Sequence, residues 1–177
     1  LTVGGLDAVS ATVTAHGPLG LLDVSADLAL RGPAFRGVSA RTLELHGALR
    51  GVPDAASGTV SVASRGLRIG GEPLGDVRLT ARVFASGRQA TLEIAQKRGR
   101  TLESLQGVVR IAWDAGDLRL SVPSLVAVTK RARWRVEDAR FRRAADGSLF
   151  IQQLVVESKR GCLTVDAELN REPLLGR

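Results

Sequence analysis

Few residues of this 177-residue chain are of types that perform catalysis or bind metals. There are two histidines, His16 and His46, and one cysteine, Cys162. A histidine that acts as a general base needs a nucleophile beside it, and neither histidine lies near a Ser or Cys nucleophile motif. A structural metal needs a spaced set of His and Cys ligands, which the sequence lacks. We therefore expect no enzymatic activity, no metal site and no cofactor.

Paired carboxylates are the other candidates for chemistry. They occur at Glu137-Asp138 and at Asp114 and Asp117. Such pairs carry acid–base catalysis in glycosidases when they flank a substrate cleft. Here they fall in predicted turns or on polar strand faces, so we interpret them as turn and surface residues.

A cluster of basic residues runs from Lys130 to Arg143, in a chain whose net charge is +7. Arg131, Arg133 and Arg135 alternate with apolar residues and are predicted to share one strand face. Guanidinium groups bind phosphates in a bidentate manner, so these three arginines are candidate contacts for lipid headgroups. The alternative is a solvated strand face. Nucleic acid is not an expected partner, because the cluster lacks aromatic stacking positions.

The elements that position these residues are strands. From Leu21 to Arg31, apolar residues alternate with Asp, Ser and Arg, and similar alternation recurs along the chain. Side chains of a strand point alternately to its two faces, so each run predicts one apolar and one polar face. No helical pattern is large enough to cover the apolar face. The predicted strands are Ala8–Ala15, Leu21–Arg31, Val38–Leu49, Gly58–Ser64, Val77–Phe84, Ala90–Gln96, Gly107–Trp113, Leu118–Val122, Val126–Val136, Ala139–Arg143, Leu149–Glu157 and Cys162–Leu169.

Turn signals that contain Gly, Pro and Asp separate these runs, and Asp146-Gly147 is the clearest hairpin signal. No linker divides the chain, so residues 1–177 are predicted to form a single all-β domain with a long antiparallel meander. Residues 136–145 are rich in Arg and Ala. A strand is favoured there, and a short helix is the alternative.

The apolar face is predicted to be aliphatic, since the chain has 4 Phe, 2 Trp, no Tyr and no Met. A large sheet with one apolar face must fold over, stack or close, and small side chains fill a curled interior poorly. This favours an open groove with an aliphatic concave face. The alternative is a self-packed β-sandwich or solenoid that acts as a protein-interaction module. The predicted groove positions are Val24, Leu28, Leu43, Leu45, Val60, Val62, Val77, Leu79, Leu92, Ile94, Val109, Ile111, Leu118, Leu120, Val156, Val165 and Leu169.

The segment from Gly58 to Leu79, with Gly66-Leu67-Arg68-Ile69 followed by Pro73-Leu74-Gly75-Asp76, resembles the TamB family of the AsmA-like superfamily. The turn Asp146-Gly147-Ser148-Leu149, which precedes Leu154-Val155-Val156, is similar to the same family's rhythm. The resemblance covers most of the chain, but it rests on strands and turns and not on an active-site motif.

The resemblance implies a curled sheet, the β-taco or half-pipe, whose hydrophobic groove shields the acyl chains of phospholipids. It implies phospholipid transport through the periplasm between inner and outer membrane, linked to outer-membrane protein assembly with a barrel partner. Because the chain has no initiating Met or targeting signal, we expect an interior fragment of a longer repeat-like protein. Its inner-membrane anchor would lie outside the fragment, and its neighbours would be other segments of the same chain.

Overall fold

The computed structural model describes residues 8–19, 21–53, 56–84 and 88–169, and within these ranges its regular structure consists of strands. Thirteen strands are formed by the described residues. They are β1 (Ala8–His16), β2 (Leu21–Arg31), β3 (Ala34–Phe35), β4 (Val38–Ser39), β5 (Thr42–Pro53), β6 (Ser57–Ile69), β7 (Glu72–Val83), β8 (Gln89–Lys97), β9 (Leu102–Asp114), β10 (Asp117–Thr129), β11 (Arg133–Arg143), β12 (Leu149–Ser158) and β13 (Gly161–Leu169).

All of these strands belong to one antiparallel sheet in the order β1-β2-β5-β6-β7-β8-β9-β10-β11-β12-β13. The short β3 and β4 pair with each other, and β4 also pairs with the end of β6. The predicted all-β antiparallel meander is therefore confirmed. The sheet is neither closed nor strongly curled, and β1 and β13 form its two edges among the described strands. The half-pipe curvature stays a prediction.

The predicted hairpin at Asp146-Gly147 joins β11 to β12. The Gly147 amide donates to the Ala144 carbonyl at 2.9 Å, and the Asp146 carboxylate accepts from the Ser148 amide at 2.8 Å. This second bond, reinforced by the Ser148 side chain, lowers the pKa of Asp146. An aspartate that accepts a bond from the backbone two residues later is a typical turn residue.

One predicted strand, Val126–Val136, is wrong, because a turn at residues 130–132 divides it. The Thr129 hydroxyl accepts hydrogen bonds from the amides of Arg131 (3.4 Å) and Ala132 (3.1 Å). Arg131 therefore lies in this turn and not on the strand face predicted for it. A threonine side chain that accepts bonds from nearby backbone amides replaces the hydrogen bonds that those amides would make to a neighbouring strand, and so favours a turn.

Other predicted bounds also need correction. Leu118–Val122 is the first part of β10, which continues through Pro123 at a register shift. The predicted strand Val38–Leu49 is divided at residues 40–41 into β4 and β5. Residues 136–143 are strand and not helix, so the favoured alternative for this segment is confirmed. Pro123 has no amide hydrogen to donate to a neighbouring strand, and the bulge there accommodates it within β10.

Strands β10, β11 and β12 each contain one irregularity that preserves the apolar face. Leu120 and Leu125 on β10 lie on one face although they are five residues apart, because the register shifts between them. Asp138 on β11 and Gln153 on β12 have φ of +52° and +56°. An extra residue in a strand reverses the alternation beyond it. At each of these neighbouring irregularities the alternation of apolar and polar residues shifts by one position, so the apolar residues before and after it stay on the same face.

The sheet forms a single layer. The chain exposes 12559 Å² of surface, whereas a compact globular protein of its mass exposes about 8,300 Å². Of the described residues with an apolar side chain, Ala139 alone is buried. No second sheet covers the first among the described strands, so the two-sheet packing of a self-packed sandwich is not formed by them.

Candidate functional site

The register of the ladders defines two faces of the sheet, because directly opposed residues in an antiparallel pair lie on the same face. A row of opposed residues crosses all eleven long strands of the described sheet, and every member is apolar. This first row consists of Ala11, Leu28, Leu45, Val62, Leu79, Ile94, Gly107, Leu125, Val136, Val156 and Leu163.

A second row lies four residues further along the central strands and is also entirely apolar. The surface that contains both rows is called the apolar face, and the opposite surface is called the polar face. The second row consists of Ala15, Val24, Leu49, Gly58, Val83, Ala90, Ile111, Leu120, Phe141, Ile151 and Ala167.

The seventeen groove positions predicted from the sequence all lie on this apolar face. Sixteen of them are half-buried, and Leu169 on the edge strand β13 is exposed. Their half-burial comes from contact with neighbouring side chains of the same face, since no other layer of the described chain covers them. Binding of lipid at these positions stays a prediction.

Besides Phe141 of the second row, two tryptophans on the apolar face were not predicted as site residues. Trp113 is opposite Leu118, and Trp134 is opposite Ala127. Their side chains remain 39% and 42% exposed. The alternation of apolar and polar residues was the sequence signal that could have identified both.

Polar side chains interrupt the apolar face in the row that contains Val77. Ser64 and Gln96 are the residues opposite Val77 on the two neighbouring strands, and they are 6% and 3% exposed. The Gln96 side-chain amide donates to the carbonyls of Leu74 (2.5 Å) and Leu102 (3.0 Å). These bonds tie together the ends of three strands, so we interpret Gln96 as a structural residue.

The polar face places an Asp, a His and a Ser side by side. Asp27, His46 and Ser61 are opposed on three neighbouring strands, and Asp27 Oδ1 lies 2.6 Å from His46 Nδ1. The Ser61 hydroxyl, however, donates to the backbone carbonyl of His46 at 3.5 Å. Nucleophile activation requires a bond from the hydroxyl to the imidazole. The arrangement therefore does not activate Ser61.

The predicted headgroup arginines are not brought together on one face. Arg133 and Arg135 lie on the polar face, and Trp134 between them lies on the apolar face. Arg135 pairs with Glu137 at 3.3 Å. Because Arg131 lies in the preceding turn, the predicted three-residue face is wrong. Two of the three side chains point away from the apolar face.

Within the described ranges, no group of three or more His, Cys, Asp or Glu residues is placed to hold a metal ion. Those ranges also contain no helix with the length and apolar character needed to cross a membrane. No protein-family model matches the chain, no curated protein matches its sequence, and no solved structure matches its fold.

Proposed function

We propose that the apolar face shields the acyl chains of phospholipids, and that the sheet is a segment of a lipid-conducting bridge. The observation that carries this proposal is the pair of apolar rows that cross the sheet without a covering layer. A soluble protein rarely leaves a contiguous apolar surface of this kind open unless the surface binds something.

The dimensions of the face fit an extended chain. Neighbouring strands lie about 4.8 Å apart, so a row across eleven strands extends for roughly 48 Å. Burial of a methylene contributes about 0.8 kcal/mol, and contact on one side contributes roughly half of that. Sixteen methylenes would then gain about 6 kcal/mol, which corresponds to a Kd of roughly 40 μM. Such weak binding permits movement along the face.

The chemistry of the apolar face favours movement of a bound acyl chain along the face over binding at one fixed position. In the first row, residues such as Val62, Leu79 and Ile94 differ little in size and none carries a polar atom in its side chain. A row of side chains without hydrogen-bonding groups offers no preferred position for a methylene along its length. We infer that a chain bound there slides between nearly equivalent positions.

The wider role follows from the resemblance to the TamB family. We propose that this segment lies in the periplasm and belongs to a longer protein anchored in the inner membrane. In that setting, adjoining segments would extend the sheet and curl it into a half-pipe that carries phospholipid between the membranes. A barrel protein of the outer membrane would be its assembly partner.

Lipid extraction tests this proposal. We expect phospholipid to co-purify with the 177-residue chain expressed in a Gram-negative host, detected by mass spectrometry of an organic extract. We also expect the delipidated chain to take up a fluorescent fatty acid with a Kd in the micromolar range. Protein that is lipid-free and takes up no fatty acid would contradict the proposal, and dimerisation of such protein would favour an interaction module.

A further inference from the structure

The polar face carries a cleft of about 770 Å³ above strands β8 to β12. Four arginines and three phenylalanines line it, and two of the phenylalanines, Phe84 and Phe150, lie on the polar face. None of the described residues that line this cleft is acidic. The side chains that define it are Phe84, Arg110, Arg119, Arg140, Arg142 and Phe150.

Two of the arginines have no carboxylate partner among the described residues. Arg110 and Arg140 are both opposed to Ser121, which lies on the strand between them. Adjacent strands are about 4.8 Å apart, so the two arginine backbones are separated by roughly 10 Å. Long guanidinium side chains at this separation can contact one anion between them. The Ser121 hydroxyl supplies a further donor there.

Asp117 fixes the other two arginines. The Asp117 carboxylate accepts bonds from Arg142 Nε at 3.1 Å and from Arg119 Nη2 at 3.0 Å. The Asp117 side chain is only 16% exposed, whereas the two arginine side chains are 51% and 67% exposed. Asp117 and Asp146, which also attracts Arg142, are fewer than the four guanidinium groups, so the cleft keeps a net positive charge. Asp117 thereby orients Arg119 and Arg142 without neutralising both of them.

The aromatic residues give the cleft an apolar side. The Arg142 guanidinium lies over the ring of Phe150, with 5.8 Å between its carbon and the ring centroid. Phe84 is 49% exposed and lines the same cleft. A site with convergent cations and aromatic rings suits a ligand that carries both an anion and an apolar group.

We propose that this cleft binds a phosphate ester with an apolar substituent. Arginine matches phosphate geometry through paired donors, and the cleft volume lies within the range of small-molecule sites, about 300–1,000 Å³. A phospholipid headgroup and a soluble phosphate ester share this chemistry. The site lies on the face opposite the proposed acyl-chain surface, so it does not depend on lipid transport.

The test is calorimetric titration of the whole chain with three probes. They are dihexanoyl phosphatidic acid below its critical micelle concentration, phenyl phosphate, and inorganic phosphate. We expect at least one ester to bind at least tenfold more tightly than inorganic phosphate. Tighter binding of the phosphatidic acid would identify a lipid headgroup as the source, and tighter binding of phenyl phosphate would identify a soluble ester.

A matched pair of double variants gives the control. Arg110→Gln with Arg140→Gln should weaken ester binding at least tenfold. Arg50→Gln with Arg78→Gln removes the same charge from the polar face outside the cleft and should leave binding nearly unchanged. Circular dichroism verifies the fold of each variant. Equal weakening in both variants, absence of ester binding at millimolar concentration, or equally tight binding of inorganic phosphate would each overturn the proposal.

Discussion

Substitution of Leu79 by Arg separates a lipid-binding surface from an ordinary core. Leu79 lies in the first apolar row between Val62 and Ile94 and is half-buried. In a packed core, Leu79→Arg would bury an unpaired charge and unfold the domain. On an open face, the guanidinium can reach water while its aliphatic stem covers the neighbouring side chains. The two accounts therefore predict different losses of stability.

The expected magnitudes follow from the half-burial of this residue. Full burial of a leucine contributes about 1.5–3 kcal/mol, so loss of a half-buried one costs roughly 1 kcal/mol of unfolding free energy. Charge at the centre of a hydrocarbon layer costs about 2.5–3.5 kcal/mol, and contact with an acyl chain on one side costs about half of that. With the lost contact of Leu79 itself, binding weakens by about 2 kcal/mol, or roughly thirtyfold.

The assay is titration with a fluorescent fatty acid, combined with urea denaturation of the same preparation. Thr80→Arg is the matched control, because Thr80 is the next residue of β7 and lies on the polar face. Thr80→Arg should leave both the affinity for the fatty acid and the unfolding free energy close to their wild-type values. Wild-type affinity in Leu79→Arg, or an equal loss in Thr80→Arg, would refute the assignment of the binding face. Complete unfolding of Leu79→Arg would refute the open face.

Two further predictions concern the sheet itself. Gly107→Ala should lower the unfolding free energy by about 1–3 kcal/mol in urea denaturation, because the new methyl group would lie 2.8 Å from the backbone carbonyl oxygen of Ser124 and would also collide with the Leu125 side chain. Gly161→Ala, whose methyl group would meet nothing within 4 Å, is its control, and equal losses would contradict this packing. Hydrogen bonds from Arg142 and then Arg119 lower the pKa of Asp117. The ionised Asp117 carboxylate therefore stabilises the fold above the unfolded pKa of about 3.9, and this stabilisation is lost as the pH falls through the lower folded pKa. Urea midpoints between pH 5 and pH 2 should therefore fall more steeply in the native chain than in Asp117→Asn, and parallel slopes would contradict the pairing.

The sequence predicted the faces of the sheet better than the ends of its strands. Strand β2 has the predicted bounds, Leu21–Arg31, because Gly17-Pro18 and Gly32-Pro33 flank a clear alternation. The seventeen groove positions share one face because a side-chain period of two is a property of the strand backbone. This property does not depend on tertiary contacts, so local pattern was sufficient.

The errors occur where the alternation continues across a turn or changes phase within a strand. Apolar residues before and after residues 130–132 keep an even spacing, so the turn formed by Thr129 was not visible in the pattern. Pro123 looked like a strand end, but a bulge accommodates it within β10. The arginine cleft was not predicted either. Arg110 and Arg140 are 30 positions apart in the sequence, and only the ladder register brings them beside Ser121.

Collisional quenching can locate a bound acyl chain on one face of the sheet, because the chain carries a probe on each face. Its only two tryptophans, Trp113 and Trp134, lie on the apolar face, and its single cysteine, Cys162, is exposed on the polar face opposite Glu157. With a nitrobenzoxadiazole dye on Cys162, added 9,10-dibromostearic acid should quench tryptophan emission strongly and leave dye emission nearly unchanged. Unbrominated stearic acid should shift the tryptophan emission to the blue without quenching it. Equal quenching of both probes, or no quenching of the tryptophans, would contradict an acyl-chain site on the apolar face.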